Sequence, residues 1–247
     1  MKNSLVNNFP IVNLHKKRSL KSPVDTQLLY GDNFKVVKKY GSWNKIKIKK
    51  DGYIGYIKNK EFSKTNKANF KVSVLKARLF RKPSAKKKLQ KFLSYESRVR
   101  IVKKNGKFSK FAKYWIKTSN LRKINFKSKN IFKNIKIFKG TRYLWGGKSF
   151  KGIDCSALVQ IFFNYNNKYC PRDSGDQERF FKKKVKLKNV KKNDMIFWKG
   201  HVAVVLSRNK LIHAYGPLKK VVVMDIRKTI DRIKNTANLT VTSIKRS

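Results

Sequence analysis

Gly152-Ile153-Asp154-Cys155-Ser156-Ala157-Leu158-Val159-Gln160-Ile161-Phe162 is the stretch on which the reading of this chain turns. Ala157, Leu158, Ile161 and Phe162 recur at i, i+1, i+4 and i+5, the apolar stripe of a helix that starts near Cys155. A thiol at such a start faces the positive end of the helix macrodipole and the free N–H groups of the first turn. Those groups favour the thiolate, whose ordinary pKa is about 8.5, and they can hold an oxyanion. Cys155 is therefore the candidate nucleophile. Asp154, one residue ahead, reads on its own as the helix N-cap.

Downstream, His201-Val202-Ala203-Val204-Val205-Leu206 and Leu211-Ile212-His213-Ala214 read as strands joined by a tight turn at Ser207-Arg208-Asn209, and Val221-Val222-Val223-Met224 as a third. Helix first and sheet afterwards predicts an α+β unit. The chain has three histidines, and two of them sit on the paired strands at even separation. A three-residue loop pairs Leu206 with Lys210 and His201 with Tyr215. Both imidazoles then lie on one sheet face, where His213 can hydrogen-bond His201 and fix its tautomer. His201 is the candidate general base. Cys155, His201 and His213 lack the close paired spacing of zinc ligands, so no metal or other cofactor is expected.

Upstream of this unit, a Lys-rich segment from Ile124 to Phe138, with Ile131, Ile135 and Phe138 at helical spacing, predicts a helix ending at Gly140. The first half is different. Short alternating runs such as Trp43-Asn44-Lys45-Ile46-Lys47-Ile48, punctuated by Gly31-Asp32, Gly41-Ser42 and Asp51-Gly52, read as β-strands. They also repeat. Leu28-Leu29-Tyr30-Gly31-Asp32 aligns with Phe92-Leu93-Ser94-Tyr95-Glu96, Lys38-Lys39-Tyr40-Gly41 with Lys103-Lys104-Asn105-Gly106, and Tyr56-Ile57 with Trp115-Ile116. Two five-strand modules account for this pattern, with boundaries expected at 1–66, 67–123 and 124–247.

Composition sets the outer limits. Hydrophobic residues make up 40% of the 247 positions against 31% charged, enough to build cores. The net charge of +52 comes from Lys and Arg spread from Lys2 to Lys245. Such a chain-wide bias is not the localised stripe of a nucleic-acid-binding face, and no nucleic acid partner is expected. It still raises the local concentration of anionic ligands. Two cysteines, Cys155 and Cys170, exclude a disulfide framework, and Cys170 reads as a bystander. The first 21 residues lack the apolar run of a secretory signal, and no stretch reaches the roughly 18 apolar residues of a membrane span. A soluble cytoplasmic protein is the expectation.

Six ordered blocks carry a resemblance: Tyr143-Leu144-Trp145-Gly146-Gly147, Gly152-Ile153-Asp154-Cys155-Ser156, Pro171-Arg172-Asp173-Ser174-Gly175-Asp176-Gln177, Asn193-Asp194-Met195-Ile196-Phe197-Trp198, Gly200-His201-Val202-Ala203 and Leu211-Ile212-His213-Ala214. They resemble the signature blocks of the NlpC/P60 peptidases, and the repeated modules resemble bacterial SH3-like domains. Together they are similar to the subgroup that cuts γ-D-glutamyl bonds in peptidoglycan stem peptides. The resemblance implies a papain-like catalytic domain behind two small SH3-like β-barrels, and a peptidoglycan-derived peptide as substrate.

The resemblance also implies roles. Cys155 would attack the carbonyl between D-Glu and the diamino acid, His201 would take and return the proton, His213 would orient His201, and Tyr143 would help hold the oxyanion. Asp154 would receive the free amine of an N-terminal L-Ala, Ser156 and Ser174 the α-carboxylate of D-Glu. Trp145 would wall the cleft, and Tyr53 of the first module would close it beyond L-Ala. One departure is Tyr215-Gly216-Pro217, where relatives carry a polar Asn-containing turn. The residues alone leave open a protein that only binds wall polymer or nucleic acid, and a Cys–His amidase or acyltransferase acting elsewhere.

Overall fold

The computed structural model describes residues 4–64 and 67–247; the expected boundary at residue 66 lies outside the described residues. In the first module β1 (Ser4–Val6), β2 (Ile11–His15), β3 (Val24–Leu29), β4 (Asn33–Tyr40), β5 (Trp43–Ile48) and β6 (Ile54–Lys58) form one sheet in the order β1-β4-β5-β6-β2-β3. The second module contains β7 (Phe70–Val72), β8 (Lys76–Phe80), β9 (Lys88–Ser94), β10 (Arg98–Val99), β11 (Lys103–Asn105), β12 (Phe108–Phe111), β13 (Tyr114–Lys117) and β14 (Leu121–Lys123). Its sheets run β11-β12-β13-β8-β9 and β10-β7-β14.

The repeat is visible in this topology. Strands β4-β5-β6-β2-β3 of the first module and β11-β12-β13-β8-β9 of the second are connected in the same order. The aligned turn glycines Gly41 and Gly106 both take the left-handed conformation, at φ 52° and 51°. Alternation buries one face of each module. Leu14, Leu28, Phe34, Ile46, Ile48 and Ile57 fill the first core; Val72, Leu79, Leu93, Val99, Phe111 and Ile116 fill the second.

The expectation of two closed barrels is corrected: among the described residues neither module's hydrogen-bonded sheet closes on itself. In the second, the counterpart of β4 is split into β10 and β11, which belong to different sheets. In the first, β3 pairs with β2 on one side only, and its outer edge meets the C-terminal unit instead of closing on β1. There Lys148 N–H donates to Gln27 Oε1 at 2.9 Å, and a Cβ on Gly146 (φ 71°) would fall 2.1 Å from the Val24 carbonyl oxygen. Only glycine allows that approach.

The C-terminal unit is α+β. It comprises β15 (Lys148–Ser149), β16 (Gly152–Ile153), α1 (Cys155–Tyr165), α2 (Ser174–Phe180), β17 (Lys183–Lys184), β18 (Met195–Trp198), β19 (His201–Val205), β20 (Lys210–Tyr215), β21 (Lys220–Asp225), α3 (Ile226–Ala237) and β22 (Val241–Arg246). The main sheet runs β17-β22-β18-β19-β20-β21, with every pairing antiparallel. Helix α1 packs on β19 and β20, and all eleven of its residues are buried, including Gln160 and Asn164. Tyr95 of the second module and Phe132 pack on Phe162 of the sequence stripe and also reach Tyr165 and Phe163 beyond it.

The predicted helix over 124–138 does not form. The segment is a series of turns ending in a single 3-10 turn at Ile135–Phe138. Asn130 explains the start, since its side chain accepts the Phe132 N–H at 3.0 Å and offers the backbone an alternative to a helix. Phe132, Ile135 and Phe138 are nevertheless buried in the α1 core, so the apolar spacing anchors an irregular strap.

Candidate active site

Asp154 starts α1. Its Oδ1 accepts the Ala157 N–H at 2.8 Å, which places Cys155 at the first helical position. The histidine hairpin has the register the parity argument requires: Val204 pairs with Ile212, Val205 with Leu211, and Leu206 N–H donates to the Lys210 carbonyl at 2.8 Å. The loop is therefore Ser207-Arg208-Asn209, and His201 Nε2 lies 2.8 Å from His213 Nδ1.

The tautomers follow from the surroundings. His213 is fully buried, stacked on Tyr215 at 4.7 Å, and its Nε2 lies 3.4 Å from Met224 Sδ. A thioether accepts and never donates, so His213 Nε2 carries the proton and Nδ1 accepts from His201 Nε2–H. The remaining nitrogen of His201, Nδ1, keeps its lone pair free for a proton.

The expected low thiol pKa is corrected. Burial pushes the Cys155 thiol up to about 12, and the neighbouring Asp154 charge adds to this; N–H groups of Val202 and Ser156 and the Arg172 charge only partly oppose it. Burial likewise pulls His201 down to about 4 and His213 well below its usual range. Among the described residues Cys155 and His201 share no hydrogen bond. The resting pair is thus neutral thiol and neutral imidazole, because burial outweighs the helix terminus.

One cavity of about 350 Å³ is lined by Cys155 together with Tyr53, Tyr143, Trp145, Asp154, Ser156 and Ser174, beside Gly200 at the foot of β19. Trp145 is 66% exposed, as a cleft wall would be. Burial holds Tyr143 well above the usual phenol range, so its hydroxyl remains a donor. Tyr53 reaches across from the first module, its Oη donating to Asp173 Oδ2 at 3.3 Å.

Asp154 is not available to a ligand ammonium. Arg172 holds both its oxygens, Nη1 to Oδ1 at 3.0 Å and Nη2 to Oδ2 at 2.5 Å, while the N–H groups of Gly146 and Ala157 supply two further bonds. The Ser156 hydroxyl is held too, accepting from Arg172 Nη1 at 2.9 Å and facing Asp154 Oδ1 at 3.3 Å. The amine-receptor assignment of Asp154 is therefore corrected in favour of helix capping.

Three charged residues of the cavity escaped the sequence reading: Asp25, Arg172 and Asp173. Arg172 and Asp173 stand in the quoted Pro171–Gln177 block, so the block held the signal without the roles. Asp25 lies on β3 and nothing local marks it. Neither Asp25 nor Asp173 forms an ion pair among the described residues. Burial raises both carboxyls above their ordinary value, against the pull of Lys16 on Asp25 and of Arg172 on Asp173.

A cysteine at the head of a buried helix that packs on the two antiparallel strands carrying a histidine pair is the arrangement of the cysteine–histidine hydrolase folds. Within that class residues 140–237 form an NlpC/P60 domain, matching the model of that family. Residues 14–62 match the bacterial dipeptidyl-peptidase SH3 domain. The chain is 28% identical over 232 residues to the gamma-D-glutamyl-L-lysine dipeptidyl-peptidase of Bacillus subtilis (strain 168), covering 84% of this chain and 77% of that one. The protein of the same name from Bacillus cereus is also 28% identical, over 77% of this chain and 67% of its own. An NlpC/P60 family protein from Bacillus cereus superposes with a TM-score of 0.83 at 21% identity, over 98% of this chain and 99% of the other. That likeness is one of fold.

Proposed function

We propose that the chain is a cysteine endopeptidase that hydrolyses the γ-D-glutamyl–diamino acid bond of peptidoglycan stem peptides carrying a free N-terminal L-Ala. One observation carries the reading. A single cavity is lined by Cys155, by Gly200, which precedes His201 of the histidine pair, and, toward Tyr53, by two carboxylates that form no ion pair among the described residues, Asp25 and Asp173. A substrate ammonium supplies the missing charge there and favours the ionised form of both carboxyls against their burial. The names of the Bacillus relatives agree with this chemistry.

In this reading the thiol proton moves to His201 Nδ1 as Sγ attacks the γ-carbonyl. The oxyanion accepts from the Tyr143 hydroxyl and the first-turn N–H groups of α1. His201 then returns the proton to the leaving amine as the C–N bond breaks, and later takes one from the water that hydrolyses the thioester. His213 orients His201 and leaves its Nδ1 free. The Ser174 hydroxyl, which no side chain holds, receives the D-Glu α-carboxylate, with Ser156 backing it. Tyr53 and Trp145 bound the cavity, and a closed Tyr53 end selects a free amino terminus.

Incubation with L-Ala-γ-D-Glu-diaminopimelate and with its N-acetylated form, read by mass spectrometry, tests the proposal. Release of L-Ala-D-Glu from the free peptide alone is expected, with turnover lost in Cys155→Ala. Equal cleavage of both forms overturns the amine receptor, and cleavage of neither overturns the peptidase.

A further inference from the structure

The two ends of the cavity carry opposite charge. Asp25 and Asp173 stand at the Tyr53 end without an ion pair among the described residues, and the groove that continues past Tyr53 is lined by Asp51 and Asp176 together with Arg172 and Arg179, the last paired with Asp176. The aspartates are four of only twelve acidic residues in the chain. The His201 end has none. Residues 140–153 and 195–224, which build it, contain no Asp or Glu at all.

That end is instead rimmed by cations. Gly200 lines the cavity as the second residue of the Lys199-Gly200 turn between β18 and β19, and Lys199, the first, is exposed at the same turn. Tyr143 forms the neighbouring wall. Its N–H donates to the Lys219 carbonyl at 2.8 Å, Arg142 precedes it, and Arg142 is bridged to Lys220. Gly216, at the start of the turn that ends in Lys219, lies against the Tyr143 ring: a Cβ there would meet it at 3.7 Å. Arg142, Lys199, Lys219 and Lys220 are all exposed, and none is in an ion pair among the described residues.

Resting on the proposed reading, the ammonium of L-Ala occupies the acidic end, so the residue after D-Glu leaves from the other side of Cys155. We infer that the rim formed by Lys199 and Lys219, with Arg142 and Lys220, reads that residue and selects a diamino acid bearing a second carboxylate over lysine. A lysine side chain brings one more positive charge to a rim that has no anion to receive it. A diaminodicarboxylic side chain ends in both an ammonium and a carboxylate, and the carboxylate meets cations wherever it turns. Selection here comes as much from repelling the wrong residue as from binding the right one. A solvent-exposed rim gives a modest, salt-sensitive effect, on the order of tenfold in kcat/KM.

The test compares L-Ala-γ-D-Glu-meso-diaminopimelate with L-Ala-γ-D-Glu-L-Lys on wild type, on Lys199→Ser/Lys219→Asn and on Lys199→Glu, in low salt and in molar salt. Asn at 219 suits the left-handed φ of 52° found there. Expected are about a tenfold preference for the diaminopimelate peptide in wild type at low salt, its decline to about threefold or less in the double variant and in molar salt, and its reversal in Lys199→Glu. Cleavage of both peptides at equal rates, faster cleavage of the lysine peptide, or a preference unchanged by the substitutions overturns the rim while leaving the peptidase standing. Cleavage of neither by wild type overturns the rim and the peptidase reading together.

Discussion

At the scale of single residues, Cys155 and His201 are both displaced from their ordinary titration by the same cause, burial, and in opposite directions. For His201 the folded value of about 4 lies below the ordinary 6.5, so the unfolded chain binds a proton first as pH falls. Its contribution to stability is present above about 6.5 and is lost progressively toward 4; His213, lowered in the same direction, steepens the loss. For Cys155 the folded value of about 12 lies above the ordinary 9.0, so its contribution is full below 9 and is lost as pH rises through that window. Melting temperature measured from pH 4 to 11 is therefore expected to fall at both ends, and Cys155→Ser to make the alkaline limb shallower without removing it, since burial raises Cys170 in the same direction, while leaving the acid limb. An unchanged alkaline slope in that variant would place the titrating group elsewhere.

The helix start at Cys155 and the histidine pair, the proposed nucleophile and base, were legible at this scale because their marks are local: an apolar stripe behind Cys155, and strand parity between His201 and His213. Asp25 was not legible. It stands well over a hundred positions from Cys155 in sequence, and only the docking of β3 against the C-terminal unit brings it to the cavity. Asp154 misled for a related reason. Its neighbour in sequence is the nucleophile, but its neighbour in space is Arg172.

At the scale of elements, the head of α1 is held by a relay that spans two modules. Thr26 Oγ1 on β3 accepts from Arg172 Nε at 2.8 Å, and Arg172 clamps Asp154, whose Oδ1 caps the helix carrying Cys155. The guanidinium fork suits this geometry and an ammonium does not. Arg172→Lys is thus expected to cut kcat by about tenfold or more through a misplaced Cys155, with a smaller change in KM, since a 1 Å displacement near the chemistry costs up to about a hundredfold. Thr26→Val removes only the outer link and should give a weaker loss of the same kind. Steady-state kinetics on the free peptide separate the two parameters, and a pure KM effect would assign Arg172 to substrate binding instead. The β19–β20 hairpin was readable from sequence, since alternation and loop length fix its register. The strap over 124–138 was not, because its buried Phe132, Ile135 and Phe138 satisfy helical spacing while Asn130 turns the backbone out of a helix.

At the scale of the whole molecule, the modules meet on charge as well as on apolar surface. Asp32 and Glu96, the acidic ends of the two aligned turns, both bind Lys50 Nζ, at 2.6 and 2.7 Å. Glu96 also accepts from Arg98 Nε at 3.0 Å, and Arg98 reaches the Asn164 carbonyl on α1 at 3.1 Å. Buried Lys148 stands 3.9 Å from Asp32 on the third side. Burial alone would push the Asp32 carboxyl up, yet Lys50 and Lys148 hold it down at about 2. The repeat that the sequence displays is thus used twice, once to build each module and once to pair them. Glu96→Gln keeps the shape of this junction and removes one buried charge, leaving Lys50 and Arg98 undercompensated. Removal of one partner from a buried ion network costs about 3–5 kcal/mol. Urea unfolding is therefore expected to show a midpoint lowered accordingly, with little change in the slope because the same surface is exposed. A loss below about 1 kcal/mol would mean that water already screens the junction as it does a surface pair, and that apolar contact alone holds the modules to the catalytic unit.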